Sequence, residues 1–333
     1  MQALVVSNKE SRRTTYFIKA GECVGIDTRF VTYNELLEHL SEYDNVLIKL
    51  EPPVHQETGF IAYHALCKEY IAQLEQLARR EKSENTHYLN EPQAIAHTLD
   101  KVKSKELLEG LPTTLLLSSS IGDFEALTDF LSGEKYSNVF VKPRFGSGAG
   151  GIMAFKYNKK RDDMVAYTTL SAKGSYVYNT KRINRLVNLR EIAVLANAVL
   201  QSGALVERWM LKDTLDAENY DLRVVCQFGK VEHIVVRSSK SAITNLHLNN
   251  KARSFDDLKL PLPIIERINS LCVRATQLSG LQYAGVDMLI ERDTQTPYII
   301  EVNGQGDHIY QDMYNGNKIY KKQLSTINHL PFR

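Results

Sequence analysis

The chain has 333 residues, of which 43% are hydrophobic and 24% charged, and its net charge is +2. That length exceeds a typical single core and suits two or three lobes of ordinary globular composition, while the nearly balanced charge gives no reason to expect nucleic acid as a partner. Cys23, Cys67, Cys226 and Cys272 are scattered with no C-x-x-C between them, so they read as reduced thiols of a cytoplasmic protein. Residues 1–6 are too short for a signal core, and the most apolar stretch, 192–200, is too short to span a bilayer, so no membrane partner is expected.

Over the first hundred residues, strand-like runs at 3–7 and 45–50 alternate with helical patterns at 33–40 and 60–81. This alternation predicts a parallel α/β lobe. Glu51-Pro52-Pro53 then stops regular structure and opens a loop at a strand's carboxyl end, where α/β sheets bind ligands. A boundary falls near 88–92, and a helix over 100–110 begins the next lobe, giving an expected division into 1–98, 99–206 and 207–333.

A strand at 138–143 ends in Lys142-Pro143 and leads to Arg144-Phe145-Gly146-Ser147-Gly148-Ala149-Gly150-Gly151, followed by a second strand-like run, 152–157. Glycines let backbone N–H groups approach phosphate oxygens, and Lys142 adds a point charge to the same anion. Gly146, Gly148 and Gly151 also match G-x-G-x-x-G, but a dinucleotide fingerprint needs a helix next, and no G-K-[ST] completes a P-loop. A hairpin lid over phosphates fits better, with an ordinary hairpin as the plain alternative.

The apolar strand from Ala204 runs into Glu207, Arg208 and Trp209, the only tryptophan, which could line an adenine pocket or belong to the core. Asp221 and Arg223 share one side of a strand over 220–225; a turn at Gly229 leads to a strand over 233–237 that ends at Arg237. Such arginines are either structural ion pairs or bidentate clamps for phosphate or carboxylate. A helix over 263–278, with apolar residues at three-and-four spacing, ends at Gly280.

Strands over 284–290 and 298–303 form a hairpin about Thr294, which puts Asp287 opposite Glu301, with Asn303 on the same face. Opposed side chains lie roughly 4.5–5.5 Å apart, where like charges repel. The flanking Val286, Met288, Ile300 and Val302 argue for burial, so a bound cation is the remedy, and oxygen-only ligands suit Mg²⁺, or Mn²⁺ in its place. The plain alternative is a solvated strand face. Near the tail, Tyr320, Lys321, Lys322 and Arg333 read as solvated surface.

From about residue 90 to 306, this ordered set of segments resembles the ATP-grasp superfamily, in its RimK-like and glutathione-synthetase-like branch of carboxylate–amine ligases. The resemblance implies an ATP-grasp fold behind an N-terminal α/β pre-ATP-grasp domain. It implies ATP contacts at Lys101, Lys142, the lid residues Gly146, Ser147, Gly148, Ala149, Gly150 and Gly151, and the hinge Glu207-Arg208-Trp209. It places metal ligands at Asp287, Glu301 and Asn303, and catalytic roles on Arg223, Arg237, Lys240 and Asn245. Two departures stand out. Gly304-Gln305-Gly306-Asp307-His308 replaces the usual small-residue and Pro continuation, and Leu248-Asn249-Asn250 lacks the glycine pair of the glutamate ligases. Residues 167–188, with Tyr176, Tyr178, Lys181, Arg182 and Arg185, look like an elaboration of the first lobe similar to that of some bacterial ATP-grasp proteins. The implied activity is an ATP- and Mg²⁺-dependent ligase joining small-molecule or peptide carboxylates and amines through an acyl phosphate. The alternatives are a small-molecule kinase on the same fold and a protein that only binds ATP.

Overall fold

The computed structural model describes residues 2–133, 135–146, 148–248 and 250–326. Three sheets organise it. The first is parallel, in the order β2-β1-β3-β4, built from β1 (Gln2–Ser7), β2 (Asp27–Thr32), β3 (Val46–Leu50) and β4 (Thr86–Tyr88). Every residue of β3 is buried and only Gln2 of β1 is not, the signature of strands covered on both faces. Helices α1 (Arg12–Val24), α2 (Tyr33–His39) and α3 (Phe60–Ala78) connect these strands. The expected strands and helices of this lobe are present. Helix α1 and strand β2 escaped the sequence pattern because they bury little: α1 buries only Thr14, Phe17, Ala20 and Gly21, and its start is set instead by a Ser11–Thr14 capping box.

Helices α4 (Pro92–Leu99) and α5 (Lys101–Leu107) follow, α5 being shorter than the predicted helix and capped by Asp100, which accepts from the Val102 and Lys103 N–H groups. The second sheet runs β5-β10-β6-β7-β8-β9, all antiparallel, from β5 (Leu116–Ser118), β6 (Asn138–Pro143), β7 (Met153–Asn158), β8 (Asp163–Lys173), β9 (Tyr176–Leu186) and β10 (Ala204–Arg208). Helices α6 (Phe124–Gly133) and α7 (Leu189–Gln201) supply its core partners, and the apolar stretch 192–200 lies in α7, which buries Ile192, Leu195, Ala196, Val199 and Leu200 of it. The elaboration at 167–188 is the long β8–β9 hairpin.

The third sheet carries β11 (Thr214–Leu215), β12 (Glu218–Gln227), β13 (Lys230–Ser239), β14 (Lys251–Arg253), β15 (Tyr283–Ile290) and β16 (Pro297–Asn303), in the path β14-β13-β12-β15-β16 with β11 beside β12. Phe228 and Gly229 (φ 51° and 74°) form the two-residue turn between β12 and β13, the left-handed pair such a tight turn requires. Helix α8 (Leu262–Leu278) packs Ile268, Leu271, Cys272 and Ala275 on this sheet. Helices α9 (Tyr310–Met313) and α10 (Lys318–Ser325) then return to the first lobe. There Tyr320 is 1% exposed and meets the Phe17 ring edge-on at 5.6 Å. The tail expectation therefore fails for Tyr320, since the helical period that exposes part of Lys321 and Lys322 turns Tyr320 and Leu324 inward; Arg333 lies outside the described residues. Among those residues no helix is long and apolar enough to cross a membrane, and the four cysteines are free.

The loop after β16 is gripped by the first lobe. Asn90 donates to the Gly304 carbonyl (2.7 Å), and Gln305 donates to the Leu50 carbonyl (2.8 Å) and the Tyr70 hydroxyl (2.7 Å). Asp307 pairs with Lys49 at 2.5 Å, and Arg13 pairs with Glu51 at 2.5 Å. Gly306 lies so close to β15 that a Cβ on Gly285 would stand 2.3 Å from its carbonyl oxygen.

Candidate active site

Antiparallel register builds the floor of the cleft. Asp221 pairs with Arg237, Arg223 with Asp287, and Asp287 with Glu301. Because directly paired residues share a face and alternate residues return to it, these five charges form one row across β13, β12, β15 and β16. The expected Asp287–Glu301 opposition is present. A bulge follows it, so that Met288 pairs with Ile299 rather than Ile300.

The row is held by alternating charge. Arg237 Nε donates to Asp221 at 2.6 Å, Arg223 Nε lies 2.7 Å from Asp287, and Arg237 Nη1 lies 3.3 Å from it. Lys212 adds a cation at the end of the row, donating to Asp221 at 2.8 Å and to the Thr244 hydroxyl at 2.7 Å. Burial alone would raise the Asp221 carboxyl, but Arg237 and Lys212 outweigh it and hold it far below the usual carboxylate range. Asp287 goes the other way: burial pushes it up and Glu301 adds to that push, against the two arginines. Glu301 is held down despite burial by Lys101, Lys142 and Arg223. Two facing carboxylates with opposite shifts are what like charges in one buried site produce.

Above the floor, Lys142 at the end of β6 donates to Glu207 at 2.6 Å. Lys105, one helical turn after Lys101 on α5, lies 3.2 Å from the other oxygen of Glu207. Burial would raise Glu207, yet Lys142 and Lys105 outweigh it and hold the carboxyl at about 2. Lys101 donates to the Gly146 carbonyl at 2.7 Å, joining α5 to the glycine loop.

That loop is the turn between antiparallel β6 and β7, as expected, and Gly146, Gly148, Ala149 and Gly151 all have positive φ. A Cβ at Gly151 would stand 2.4 Å from the Phe60 ring, so this glycine lets the loop lie on α3. The β8–β9 hairpin fastens it: Gly151 N–H donates to Asn179 Oδ1 at 2.9 Å, and Thr169 donates to the Ala149 carbonyl at 3.0 Å. Replacing Asn179 by alanine is expected to raise amide hydrogen exchange at Gly151 and its neighbours about fivefold or more, the effect of losing a bond worth about 1 kcal/mol. Unchanged exchange would show that the hairpin does not secure the loop.

Lys101, Lys142, Gly146, Gly148, Ala149, Gly150, Glu207, Arg208, Arg237, Asn245, Asp287 and Glu301 line a single cleft. Gly151 stands behind the loop, Arg223 beneath Asp287, and Asn303 beside Glu301, to which its amide donates at 3.3 Å. Two predicted residues are elsewhere. Trp209 packs outside the cleft on Phe140 (5.3 Å) and Tyr167 (6.3 Å); alternation along 208–212 sends Arg208, Met210 and Lys212 inward and Trp209 outward. Lys240 is exposed just past β13 and does not line the cleft. Ser147 lies outside the described residues. Lys105 and Lys212 were missed by the sequence reading, although Lys105's four-residue spacing from Lys101 on one helix was a usable signal.

The donors also suit a hard cation. Asp287 Oδ1 is buried with no N–H directed at it despite the nearby guanidinium, and Glu301 and the Asn303 amide bring further oxygens. Among the described residues there is no group of three or more His, Cys, Asp and Glu able to hold a metal, so an ion here would complete its shell with phosphate and water oxygens, the habit of Mg²⁺.

The tetrahydromethanopterin:alpha-L-glutamate ligase of Methanococcus maripaludis is 23% identical over 173 residues, which cover 52% of this chain and 46% of that protein; the match thus spans less than half the length of that relative. Among solved structures, the D-cycloserine synthetase DcsG aligns over 97% of this chain and 98% of its own with a TM-score of 0.60 at 14% identity. The D-alanine–D-alanine ligase of Bacillus anthracis complexed with ATP aligns over 99% and 96% with a TM-score of 0.55 at 18% identity. The ATP-grasp ligase PsnB, complexed with a minimal precursor, Mg and ADP, aligns over 98% of both chains with a TM-score of 0.57 at 14% identity. These similarities show the α/β ATP-grasp fold, and the YheC/D-like ATP-grasp family profile matches residues 96–330. With that match across most of its length, the chain belongs to the YheC/D-like ATP-grasp family.

Proposed function

We propose that the cleft binds ATP with Mg²⁺ and that the protein joins a carboxylate to an amine, releasing ADP and phosphate. One observation carries this reading: a facing carboxylate pair, Asp287 and Glu301, lies beneath a glycine loop and the cleft lysines Lys101 and Lys142, so phosphate-binding and cation-binding groups converge on one space. Lys101 and Lys142 hold the triphosphate, the glycine loop covers it, and the segment from Glu207 to Met210 at the end of β10 borders the adenine. Asp287, Glu301 and Asn303 hold Mg²⁺, which neutralises charge on the β- and γ-phosphates.

A carboxylate oxygen of the first substrate attacks the γ-phosphorus, and the bond to the ADP oxygen breaks. Arg237, which lines the cleft and is fixed by Asp221, faces the charge that develops, and Arg223 supports it from the same row through its pair with Asp287. The amine then attacks the acyl carbon, a C–N bond forms, and phosphate leaves with one oxygen of the original carboxylate while the amine releases its proton to solvent. The acceptors are small-molecule or peptide carboxylates and amines. The match to a glutamate ligase and the fold shared with ligases of amino acids and of a precursor peptide support this reading over transfer to a hydroxyl.

The test screens amino acids and short peptides for ADP release and repeats the active pair with carboxyl-¹⁸O label. Ligation through an acyl phosphate places one ¹⁸O in the released phosphate and gives a new amide by mass. A stable phosphorylated product with no label transfer would identify a kinase on the same fold, and tight ATP binding with no turnover on any pair would identify a binding protein.

A further inference from the structure

Two lysines share the buried Glu207, and only one of them faces the cleft. Glu207 is 2% exposed. Lys142, which lines the cleft, holds its Oε2 at 2.6 Å, while Lys105, which does not, stands 3.2 Å from Oε1. Lys105 is anchored independently, donating to the Thr114 carbonyl at 2.6 Å and the Thr114 hydroxyl at 2.7 Å; that hydroxyl in turn donates to Glu207 Oε2 at 3.0 Å. A phosphate entering the cleft draws Lys142 toward itself and away from Glu207. If Lys142 were the sole cation, its departure would strand a buried carboxylate, which is strongly unfavourable. Lys105 removes that penalty because it stays bound to the opposite oxygen.

We propose that Lys105 is a stationary counter-ion for Glu207 that frees Lys142 to bind the phosphates of the nucleotide. Lys105 is thus a positioning residue, reaching the nucleotide only through Glu207 and Lys142; the inference rests on the reading that this cleft binds ATP. Its signature is phosphate-dependent. Without Lys105, Lys142 is the last cation on Glu207 and stays there, so ligands with phosphates lose affinity while adenosine does not.

The experiment is a calorimetric titration of Mg²⁺-ATP and of adenosine into the wild type, Lys105→Met, Glu207→Gln and the double variant, with Lys105→Arg as the conservative control. Lys105→Met is expected to lower ATP affinity about tenfold to a hundredfold, the range for a charged hydrogen bond, and adenosine affinity by less than about threefold, with Lys105→Arg close to wild type. In the Glu207→Gln background the same substitution is expected to change ATP affinity by less than about threefold, because nothing then retains Lys142. Should Lys105→Met not fold, Lys105→Gln, which keeps a donor for Thr114, takes its place. Equal losses for ATP and adenosine, or an equal ATP loss in both backgrounds, would overturn the counter-ion and leave the ATP reading intact. A wild-type protein that binds neither ligand would overturn the ATP reading and the counter-ion with it.

Discussion

Asp287→Asn and Glu301→Gln are each expected to lower Mg²⁺-dependent ADP release at least about a hundredfold, because charge on the transferring phosphate then lacks its bound cation. Their effects on stability should differ. Glu301→Gln relieves the repulsion that helps raise Asp287 across the hairpin but also takes a counter-charge from Lys101, Lys142 and Arg223, which hold Glu301 down, so the metal-free protein should lose a modest amount of stability, less than with Asp287→Asn. Asp287→Asn instead leaves Arg223 and Arg237 without the charge between them, and buried guanidinium groups that lose a partner destabilise a fold. Turnover and denaturant unfolding measured on both variants check this. Full activity in both would sink the metal assignment, and a large stability loss in Glu301→Gln would show that the facing pair is not under strain.

The second large effect lies where the first lobe holds the loop after β16. Lys49 and Asp307 are both fully buried and 2.5 Å apart, with Glu51 3.4 Å from Lys49 and Arg13 3.5 Å from Asp307. Burial alone would lower Lys49 and raise Asp307, but each holds the other charged, Asp307 keeping Lys49 up and Lys49 keeping Asp307 down. Removing one partner strands the other, so Lys49→Met or Asp307→Asn is expected to reduce unfolding free energy by about 3–5 kcal/mol. The double variant Lys49→Met/Asp307→Asn should cost less than the sum of the two, because neither buried charge of the pair remains. Urea denaturation of the three variants measures this. Single losses below about 1 kcal/mol would mean that the pair is solvated in practice. The consequence reaches the active site through a short path: Asp307 follows Gly306, whose carbonyl accepts from Arg223 Nη1 at 3.4 Å, and Arg223 pairs with Asp287.

The features legible in the sequence are local and periodic. Strand alternation puts Asp221 with Arg223 on one face and Glu301 with Asn303 on another strand's matching face, and a hairpin between apolar runs sets Asp287 against Glu301 within a few residues of chain. The glycine loop between two strands was legible for the same reason, as were the α8 stripe and its stop at Gly280. Packing settled what loops and distant segments do, because no period governs a chain after a strand ends. It turned Trp209 out and Lys212 in, left Lys240 in solvent, and placed Tyr320 in the core against Phe17. It also joined Lys49 to Asp307 across lobes, and Lys105 of α5 to Glu207 of β10 across a long stretch of chain. A buried ion pair depends on where two backbones meet and how completely water is excluded, and that is a property of the packed molecule rather than of either segment.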